Sequence, residues 1–292
     1  TASLASILKA EGYSTLAFHP GERASWQRDR AYPRLGFDSY KCGDDMDVPQ
    51  TFEHGYVSDD SDFEQIIWEF EHKDESTPLF LFNVTIQNHG SYTVEDYPAE
   101  VQLADEPGAY PKAEQYLTLA NKTDEAFKKL IDYFSAQTEP TILVMFGDHQ
   151  PSVEQEFLDK AYGVTQDEMT MAQYMDKFKV PFIIWANYPL EHTAAATSTT
   201  DPLNRMDMVM LAPTLLQQAG LPLSDYYEYL LEMKHNTPVV TAANDYMKVD
   251  GSTAEYGADP ALDEWAKGYL MLEYNNIGAH AKRDQSIFDP AE

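Results

Sequence analysis

The sequence has one cysteine, few basic residues and no long hydrophobic run. The lone Cys42 cannot form a disulfide within the chain, which fits a cytosolic protein and equally an extracytoplasmic bacterial domain without disulfides. Acidic residues outnumber basic ones by 49 to 20, and the net charge of −29 argues against nucleic acid as a partner, because phosphate repels such a surface. It also argues against a polybasic membrane-binding patch. No apolar run approaches the roughly 18 residues of a membrane-spanning helix.

What is present is the composition of a folded protein. Hydrophobic residues make up 43% of the 292 residues and aromatic residues 13%, so the chain can bury a sizeable core. The length allows one large α/β domain or two smaller ones. The sequence starts without methionine, directly in a helical pattern, and we expect it to be a piece of a longer protein.

Helical and strand-like segments alternate along the chain. Ser58-Asp59-Asp60 is a typical N-cap cluster and precedes a helical stripe that runs to His72. The longest helix is predicted from Lys112 to Gln137. Buried strands are predicted at 13–18, 79–86, 141–146 and 180–186. The alternation predicts an α/β fold in which a central, mainly parallel sheet contains these four strands and carries helices on both faces.

The domain organisation follows from the same pattern. Residues 1–234 are predicted to form the main α/β core, and residues 235–292 a small C-terminal subdomain of the same unit. Short edge strands are predicted there at 237–241 and 246–249. No internal repeat or low-complexity tract interrupts the chain.

Asp148 and His149 directly follow the apolar run from Ile142 to Phe146, which is typical of a strand covered on both faces of a parallel sheet. Open α/β sheets bind ligands at the carboxyl ends of their strands. A carboxylate beside an imidazole suits a divalent cation. The alternative is a turn in which Asp148 caps the next helix and His149 is merely exposed.

Two further histidines occupy equivalent positions. His19 follows the first predicted strand and His89 follows the second. Because right-handed crossovers gather the ends of parallel strands at one edge of a sheet, we expect these residues to converge with Asp148 and His149 on one pocket.

Four motifs together resemble a known family. They are Phe18-His19, Trp26-x-Arg28-Asp29, Gln87-Asn88-His89-Gly90-x-Tyr92 and Phe146-Gly147-Asp148-His149. In this order and spacing they resemble the lipoteichoic-acid-synthase-like phosphoglycerol transferases, in the sulfatase branch of the alkaline phosphatase superfamily. The resemblance implies an alkaline phosphatase/sulfatase-like fold and covers nearly the whole chain.

The resemblance also implies an activity. Such enzymes are anchored in the cell membrane with an extracellular catalytic domain, and they use a divalent metal, typically Mn²⁺, and a threonine nucleophile. They move glycerol phosphate from the headgroup of phosphatidylglycerol to a cell-envelope polymer or glycan. By position, Asp148 and His149 match metal ligands. The implied substrate pocket contains His19, Trp26, Arg28 and His89, with His89 as its catalytic group.

Two departures from the family pattern limit this prediction. The threonine nucleophile and the first acidic metal ligand are expected upstream of Thr1, together with the membrane spans. Where the family commonly has an acidic residue shortly after Phe-His, this chain has Pro20-Gly21-Glu22. We therefore expect the chain as given to be inactive and to bind metal weakly or not at all.

Alternatives stay open at the level of function and of single residues. The function could be that of a sulfatase or phosphodiesterase, or of a non-catalytic module that binds anionic headgroups. His89 could be a loop histidine satisfied by backbone, Arg28 a surface arginine paired with an acid, and Trp26 a core residue. The remaining histidines are predicted to be surface residues: His54, His72, His192, His235 and His280.

Overall fold

The computed structural model describes residues 2–95, 97–190, 205–240, 246–248 and 250–289. The helices are α1 (Leu4–Ala10), α2 (Arg28–Arg34), α3 (Asp59–His72), α4 (Pro111–Ser135), α5 (Gln155–Tyr162), α6 (Met171–Asp176), α7 (Leu211–Gln218), α8 (Asp225–Asn236) and α9 (Pro260–Glu273). The strands are β1 (Ser14–His19), β2 (Ser39–Cys42), β3 (Phe52–Glu53), β4 (Tyr56–Val57), β5 (Leu79–Asn83), β6 (Ile142–Phe146), β7 (Phe182–Ala186), β8 (Val239–Val240), β9 (Tyr246–Met247) and β10 (Thr253–Ala254).

Helices and a parallel sheet along one chain confirm the predicted α/β fold class. The chain divides into two compact units. The first, here called the site unit, comprises Leu8–Thr141 and Phe146–Phe182. The second, here called the C-terminal unit, comprises Thr1–Ile7, Ile142–Met145 and Ile183–Glu292. The predicted boundary between 234 and 235 stays a prediction.

Strand β1 is the centre of the sheet in the site unit. It pairs in parallel with β2 on one side and with β5 on the other. Its apolar residues Leu16, Ala17 and Phe18 are buried, which is why a central strand forms here. The ladder continues past β5, where the Val84 N–H donates to Phe18 O at 3.0 Å. The residues that follow β1 and β5 therefore leave the sheet side by side.

The prediction that four strands share one hydrogen-bonded sheet is wrong. In the part of the chain that the structure describes, β5 pairs only with β1, while β6 and β7 form a separate sheet of two strands. The alternation of helices and strands identifies strands of a parallel fold. It does not specify which strands are neighbours, because adjacency depends on contacts between segments that are distant in sequence.

Helices α3 and α4 pack against each other in the site unit. Ring centroids of Phe63 and Phe127 lie 6.3 Å apart, and those of Phe70 and Phe134 lie 5.1 Å apart. Helix α3 begins as predicted, with the Ser58 side chain accepting a hydrogen bond from the Ser61 N–H. The packing covers the first turn of α3, so its polar side chains must find partners inside the protein.

The C-terminal unit contains α7 to α9 and an antiparallel sheet in the order β10-β9-β8. The two predicted strands are confirmed at Val239–Val240 and Tyr246–Met247, but the prediction of an edge strand is wrong for Tyr246–Met247, which lies in the middle of this sheet. Residues 241–245 and 249 lie outside the described residues. Tyr246 is buried and its hydroxyl donates to Asp263 Oδ1 at 2.9 Å. None of the described helices combines the length and apolar character that a membrane span needs.

Candidate functional site

His19 ends β1 and is almost fully buried, with 2% of its surface exposed. Its Nδ1 lies 2.7 Å from Val84 O, so in the neutral ring Nδ1–H donates to that carbonyl. Burial lowers the pKa of His19, and the positive charges of Arg28 and His89 lower it further, against the raising effect of the Val84 hydrogen bond. His19 is therefore a neutral imidazole fixed between two adjacent strand ends.

Trp26 and Arg28 lie on a turn in which two residues adopt left-handed conformations. The φ angles are 58° for Trp26 and 54° for Gln27, a region that non-glycine residues rarely adopt. Helix α2 starts immediately afterwards at Arg28. The turn leaves Trp26 84% exposed, so Trp26 is not a core residue. Strain of this kind, together with an exposed indole, is typical of functional sites.

His89 lies in a tight turn after β5, where its N–H donates to Ile86 O at 3.0 Å. Its Nδ1 is 2.8 Å from Gly90 O and 3.3 Å from the Tyr56 hydroxyl. The rings of His89 and Tyr56 meet edge to face with centroids 5.6 Å apart. Nδ1 is thus engaged within the protein, which leaves Nε2 as the nitrogen available to a ligand.

The structure brings three of the predicted residues together. Arg28 and His89 both act electrostatically on His19, which places them around the ends of β1 and β5. Arg28 also acts on Tyr32 and Tyr40, and its Nη1 donates to Ser25 O at 3.2 Å. No ion pair engages Arg28 among the described residues, unlike the acid-paired surface arginine of the alternative interpretation.

Asp148 and His149 lie on a solvent-facing loop after β6, with 84% and 78% of their side chains exposed. The Nε2 of His149 is 3.5 Å from Asp148 Oδ2, and the His149 N–H donates to Asp148 Oδ1 at 2.8 Å. Asp148 does not cap the next helix, because α5 begins at Gln155 with Glu154 as its N-cap residue.

Asp148 is also close to the His89 turn. Burial raises the pKa of Tyr92 to about 12, with further contributions from Tyr116 and from the negative charge of Asp148. Tyr92 in turn donates its hydroxyl to Asn88 O at 2.7 Å. The loop after β6 and the turn after β5 therefore lie within electrostatic range of each other.

The donor set of Asp148 and His149 fits part of a divalent-cation site. A carboxylate and an imidazole are ordinary ligands of Mn²⁺ or Zn²⁺, and both side chains are accessible. The described residues contain no group of three or more His, Cys, Asp or Glu side chains that could hold a metal ion. Two protein ligands alone leave most of a coordination shell to water.

Sequence reasoning missed the hairpin of β3 and β4 beside the His89 turn. His54 lies at its tip with φ of 35°, and its Nε2 is 2.5 Å from Gln87 O. The prediction of a surface histidine is wrong for His54, which is half-buried and stacks on Tyr92, whereas His72 and His235 are exposed as predicted. His192 and the side chain of His280 lie outside the described residues. The two-residue turn His54-Gly55, flanked by the strand-forming residues Phe52 and Tyr56, is a hairpin signal that could have found it.

Comparison with known proteins identifies the family. Residues 1–221 match the model of the sulfatase family. The chain belongs to the sulfatase family. This sulfatase-family chain is 25% identical over 282 residues to a Rhizobium meliloti (strain 1021) protein named for cyclic β-1,2-glucan modification, covering 94% of the chain and 42% of the relative. It is 21% identical over 256 residues to the lipoteichoic acid synthase of Staphylococcus saprophyticus, covering 85% and 38%.

The fold of the sulfatase-family chain is also found in a solved structure. Streptococcus pyogenes phosphoglycerol transferase GacH, in complex with sn-glycerol-1-phosphate, superposes with a TM-score of 0.71 at 18% identity, covering 96% of this chain and 66% of GacH. The relatives confirm the resemblance to lipoteichoic-acid-synthase-like phosphoglycerol transferases of the alkaline phosphatase superfamily. The chain spans less than half the length of the two curated relatives.

Proposed function

We propose that this chain is part of an enzyme that transfers glycerol phosphate from a phosphatidylglycerol-type lipid to a polymer or glycan of the cell envelope. The observation that carries this proposal is the electrostatic interaction of Arg28 and His89 with His19. Arg28 is also two residues along the chain from Trp26, which is exposed. A guanidinium and an imidazole suit the phosphate, and an indole face suits the glycerol carbons. The likeness to a GacH structure that holds sn-glycerol-1-phosphate supports the same substrate class.

In this proposal Arg28 and His89 contact the phosphate directly. The planar guanidinium of Arg28 keeps donors free beyond its bond to Ser25 O, and they can pair with two phosphoryl oxygens at once. His89 presents Nε2, which can hydrogen-bond a phosphoryl oxygen or transfer a proton. His19 is buried, so its contribution is to fix the turn at residues 19–21.

Asp148 and His149 would hold a divalent cation beside this group, and we propose Mn²⁺. When bound, such a cation neutralises negative charge on the transferring phosphoryl group. The carboxylate supplies the charge that compensates for dehydration of the ion, and the imidazole supplies a neutral nitrogen ligand.

We further propose that the domain works outside the cytoplasm, as part of a protein anchored in the cell membrane. One curated relative is named for modification of a cyclic β-1,2-glucan and the other as a lipoteichoic acid synthase, and both names fit a polymer or glycan as the acceptor. The net charge of −29 keeps the domain itself from adsorbing to an anionic lipid surface. Because the chain spans less than half of these relatives, the transfer reaction is proposed for the whole protein.

Calorimetric titration with sn-glycerol-1-phosphate tests the binding step. Arg28→Gln should weaken binding at least tenfold, since a charge-assisted hydrogen bond contributes about 1.5–3 kcal/mol. Arg30→Gln is the matched control, because Arg30 lies on the same helix, is exposed and makes the same change in net charge. Equal binding by the two variants would overturn the assignment of Arg28, and no binding by the unaltered chain would overturn the proposal.

A sulfatase or phosphodiesterase is the second candidate, and the match to the sulfatase family model favours it. Competition in the same titration separates the two. Displacement of sn-glycerol-1-phosphate by inorganic sulfate as effectively as by inorganic phosphate would favour a sulfatase. Tight binding without transfer or hydrolysis by the whole protein, with Mn²⁺ supplied, would instead indicate a binding module.

A further inference from the structure

Two carboxyl groups are fully buried at the first turn of α3. Asp59 and Asp62 are both 0% exposed, and no cation pairs with either of them among the described residues. Asp62 Oδ1 accepts a hydrogen bond from Asn83 Nδ2 at 2.5 Å, and Asp59 Oδ2 accepts one from the Thr123 hydroxyl at 2.6 Å. Buried carboxyl groups are retained only where something compensates for the loss of water.

The pair has more acceptors than donors. Within the described residues, Asp59 Oδ1, Asp62 Oδ2 and Asn83 Oδ1 are buried without a hydrogen-bond partner. All three atoms can only accept while both acids are ionised. A single proton on Asp62 Oδ2 removes one buried charge and turns one of these acceptors into a donor.

The pair connects to the turn that carries His89. Because Thr123 gives its hydroxyl proton to Asp59, its oxygen is left as an acceptor, and it receives hydrogen bonds from Gln87 Nε2 at 3.1 Å and Asn88 Nδ2 at 2.8 Å. Gln87 Oε1 accepts from the Asp59 N–H at 3.0 Å, which fixes the orientation of that amide. His89 is the next residue along the chain.

We propose that Asp59 is a positioning residue, which acts through Thr123 on Gln87 and Asn88 to hold His89 in place, while Asp62 beside it carries a proton. This inference rests on the role proposed above for His89. None of these side chains touches the ligand, and their effect is on the position of the imidazole.

Electrostatics agree with this division of roles. Burial and then the negative charge of Asp59 raise the pKa of Asp62 well above its usual range, against the hydrogen bond from Asn83. Burial raises the pKa of Asp59 to only about 6, because the hydrogen bonds from Thr123 and Gln87 favour its ionised form. The groups that face the pair from β5, from the turn after it and from α4 are the neutral side chains Asn83, Gln87 and Thr123.

Substitution of Thr123 tests the positioning role. Thr123→Val keeps the shape and removes the hydroxyl, and we expect the His89 ring resonances in NMR spectra to move and the Kd for sn-glycerol-1-phosphate to rise roughly tenfold. Thr123→Ser restores the hydroxyl and should return both measurements close to those of the unaltered chain. Rescue of this kind would not follow from a packing role alone.

Thr118→Val is the matched control. Thr118 is buried on the same helix, five residues earlier, and its hydroxyl donates to Glu114 O at 2.9 Å and accepts from the Val101 N–H at 3.1 Å. It should lower stability without moving the His89 resonances. Equal effects of Thr118→Val and Thr123→Val on those resonances would overturn the positioning role. If sn-glycerol-1-phosphate fails to bind the unaltered chain while the resonances respond as expected, the proposed function falls and the positioning role stands.

Asp62→Asn tests the location of the proton. The amide places a permanent N–H donor where the protonated acid would have its O–H, so we expect the urea midpoint at pH 8 to stay equal or rise. A clear fall of that midpoint would show that Asp62 is ionised in the folded state and overturn the assignment.

Discussion

Gly21 lies directly against the imidazole of His19. A Cβ added at residue 21 would be 2.5 Å from His19 Nε2, closer than any real contact of that kind. The ring cannot move aside freely, because His19 is buried and Nδ1 is held by Val84 O at 2.7 Å. The Pro20-Gly21 turn is therefore matched to a histidine at position 19.

Gly21→Ala should for this reason destabilise the protein by about 1–3 kcal/mol, the usual cost of overpacking a buried position. The measurement is urea unfolding of Gly21→Ala, of His19→Ala and of the double variant. Removal of the ring should cancel most of the penalty, so the two substitutions should be strongly non-additive. Additive effects would show that the clash lies elsewhere.

Trp26→Gly should separate stability from binding. Glycine adopts a φ of 58° without the strain that tryptophan has there, but it loses more backbone entropy on folding. The indole contributes little to packing, because Trp26 is 84% exposed. We expect the free energy of unfolding to be unchanged or higher by up to about 1 kcal/mol. Binding of sn-glycerol-1-phosphate should weaken at the same time. A loss of stability in Trp26→Gly would contradict this account of the turn.

The buried acid pair should make stability depend on pH. Burial raises the pKa of Asp59 from 3.8 to about 6, so the folded state holds its proton more tightly than the unfolded state does. This contribution to the free energy of unfolding is complete below pH 4 and is lost as the pH rises through about 6. The loss amounts to about 3 kcal/mol, since each pKa unit corresponds to about 1.36 kcal/mol.

Many other carboxyl groups titrate in this range, so the comparison must be between variants. Asp59→Asn lacks this proton. Its free energy of unfolding, compared with that of the unaltered chain, should therefore rise by about 3 kcal/mol between pH 4 and pH 7. Asp60→Asn provides the control, because Asp60 is partly exposed and forms an ion pair with Lys129. A difference between Asp59→Asn and the unaltered chain that does not vary with pH would count against a raised pKa.

Mn²⁺ should bind this chain weakly, with a Kd above about 1 mM, because Asp148 and His149 supply only two ligands. Paramagnetic broadening of the NMR signals of His149 measures the binding directly. Asp148→Asn should abolish the broadening, whereas Asp167→Asn, at an exposed position in the short 3-10 helix Gln166–Glu168, should not. Micromolar binding that survives Asp148→Asn would place the metal elsewhere.

Local pattern predicted much of this fold. The longest helix, expected from Lys112 to Gln137, is α4 at Pro111–Ser135, and the strand expected at 141–146 is β6 at Ile142–Phe146. Their signals are periodicity and breakers, which act within a few residues. The pairing of β6 with β7 depends on contacts between distant segments, which one sequence does not record.

The site was predictable to the extent that it lies at strand ends. His19 and His89 were both predicted at strand ends, and the structure adds that the strands concerned, β1 and β5, are paired neighbours. Asp59 was predicted as part of an N-cap cluster, and the cap is formed by Ser58. Nothing local distinguishes Asp59 from an exposed first-turn acid, because its partners Gln87 and Thr123 are 28 and 64 residues away.

The hairpin of β3 and β4 has a consequence for ligand recognition. His54 is hydrogen-bonded to Gln87 O and Tyr56 to Gly90 O. The hairpin therefore restrains the His89 turn in addition to the hydrogen bonds that Thr123 makes to Gln87 and Asn88. Ordering a flexible residue costs roughly 1–2 kcal/mol of backbone entropy. Folding has already ordered this turn before any ligand arrives, so a small anion can bind here without losing affinity to loop closure.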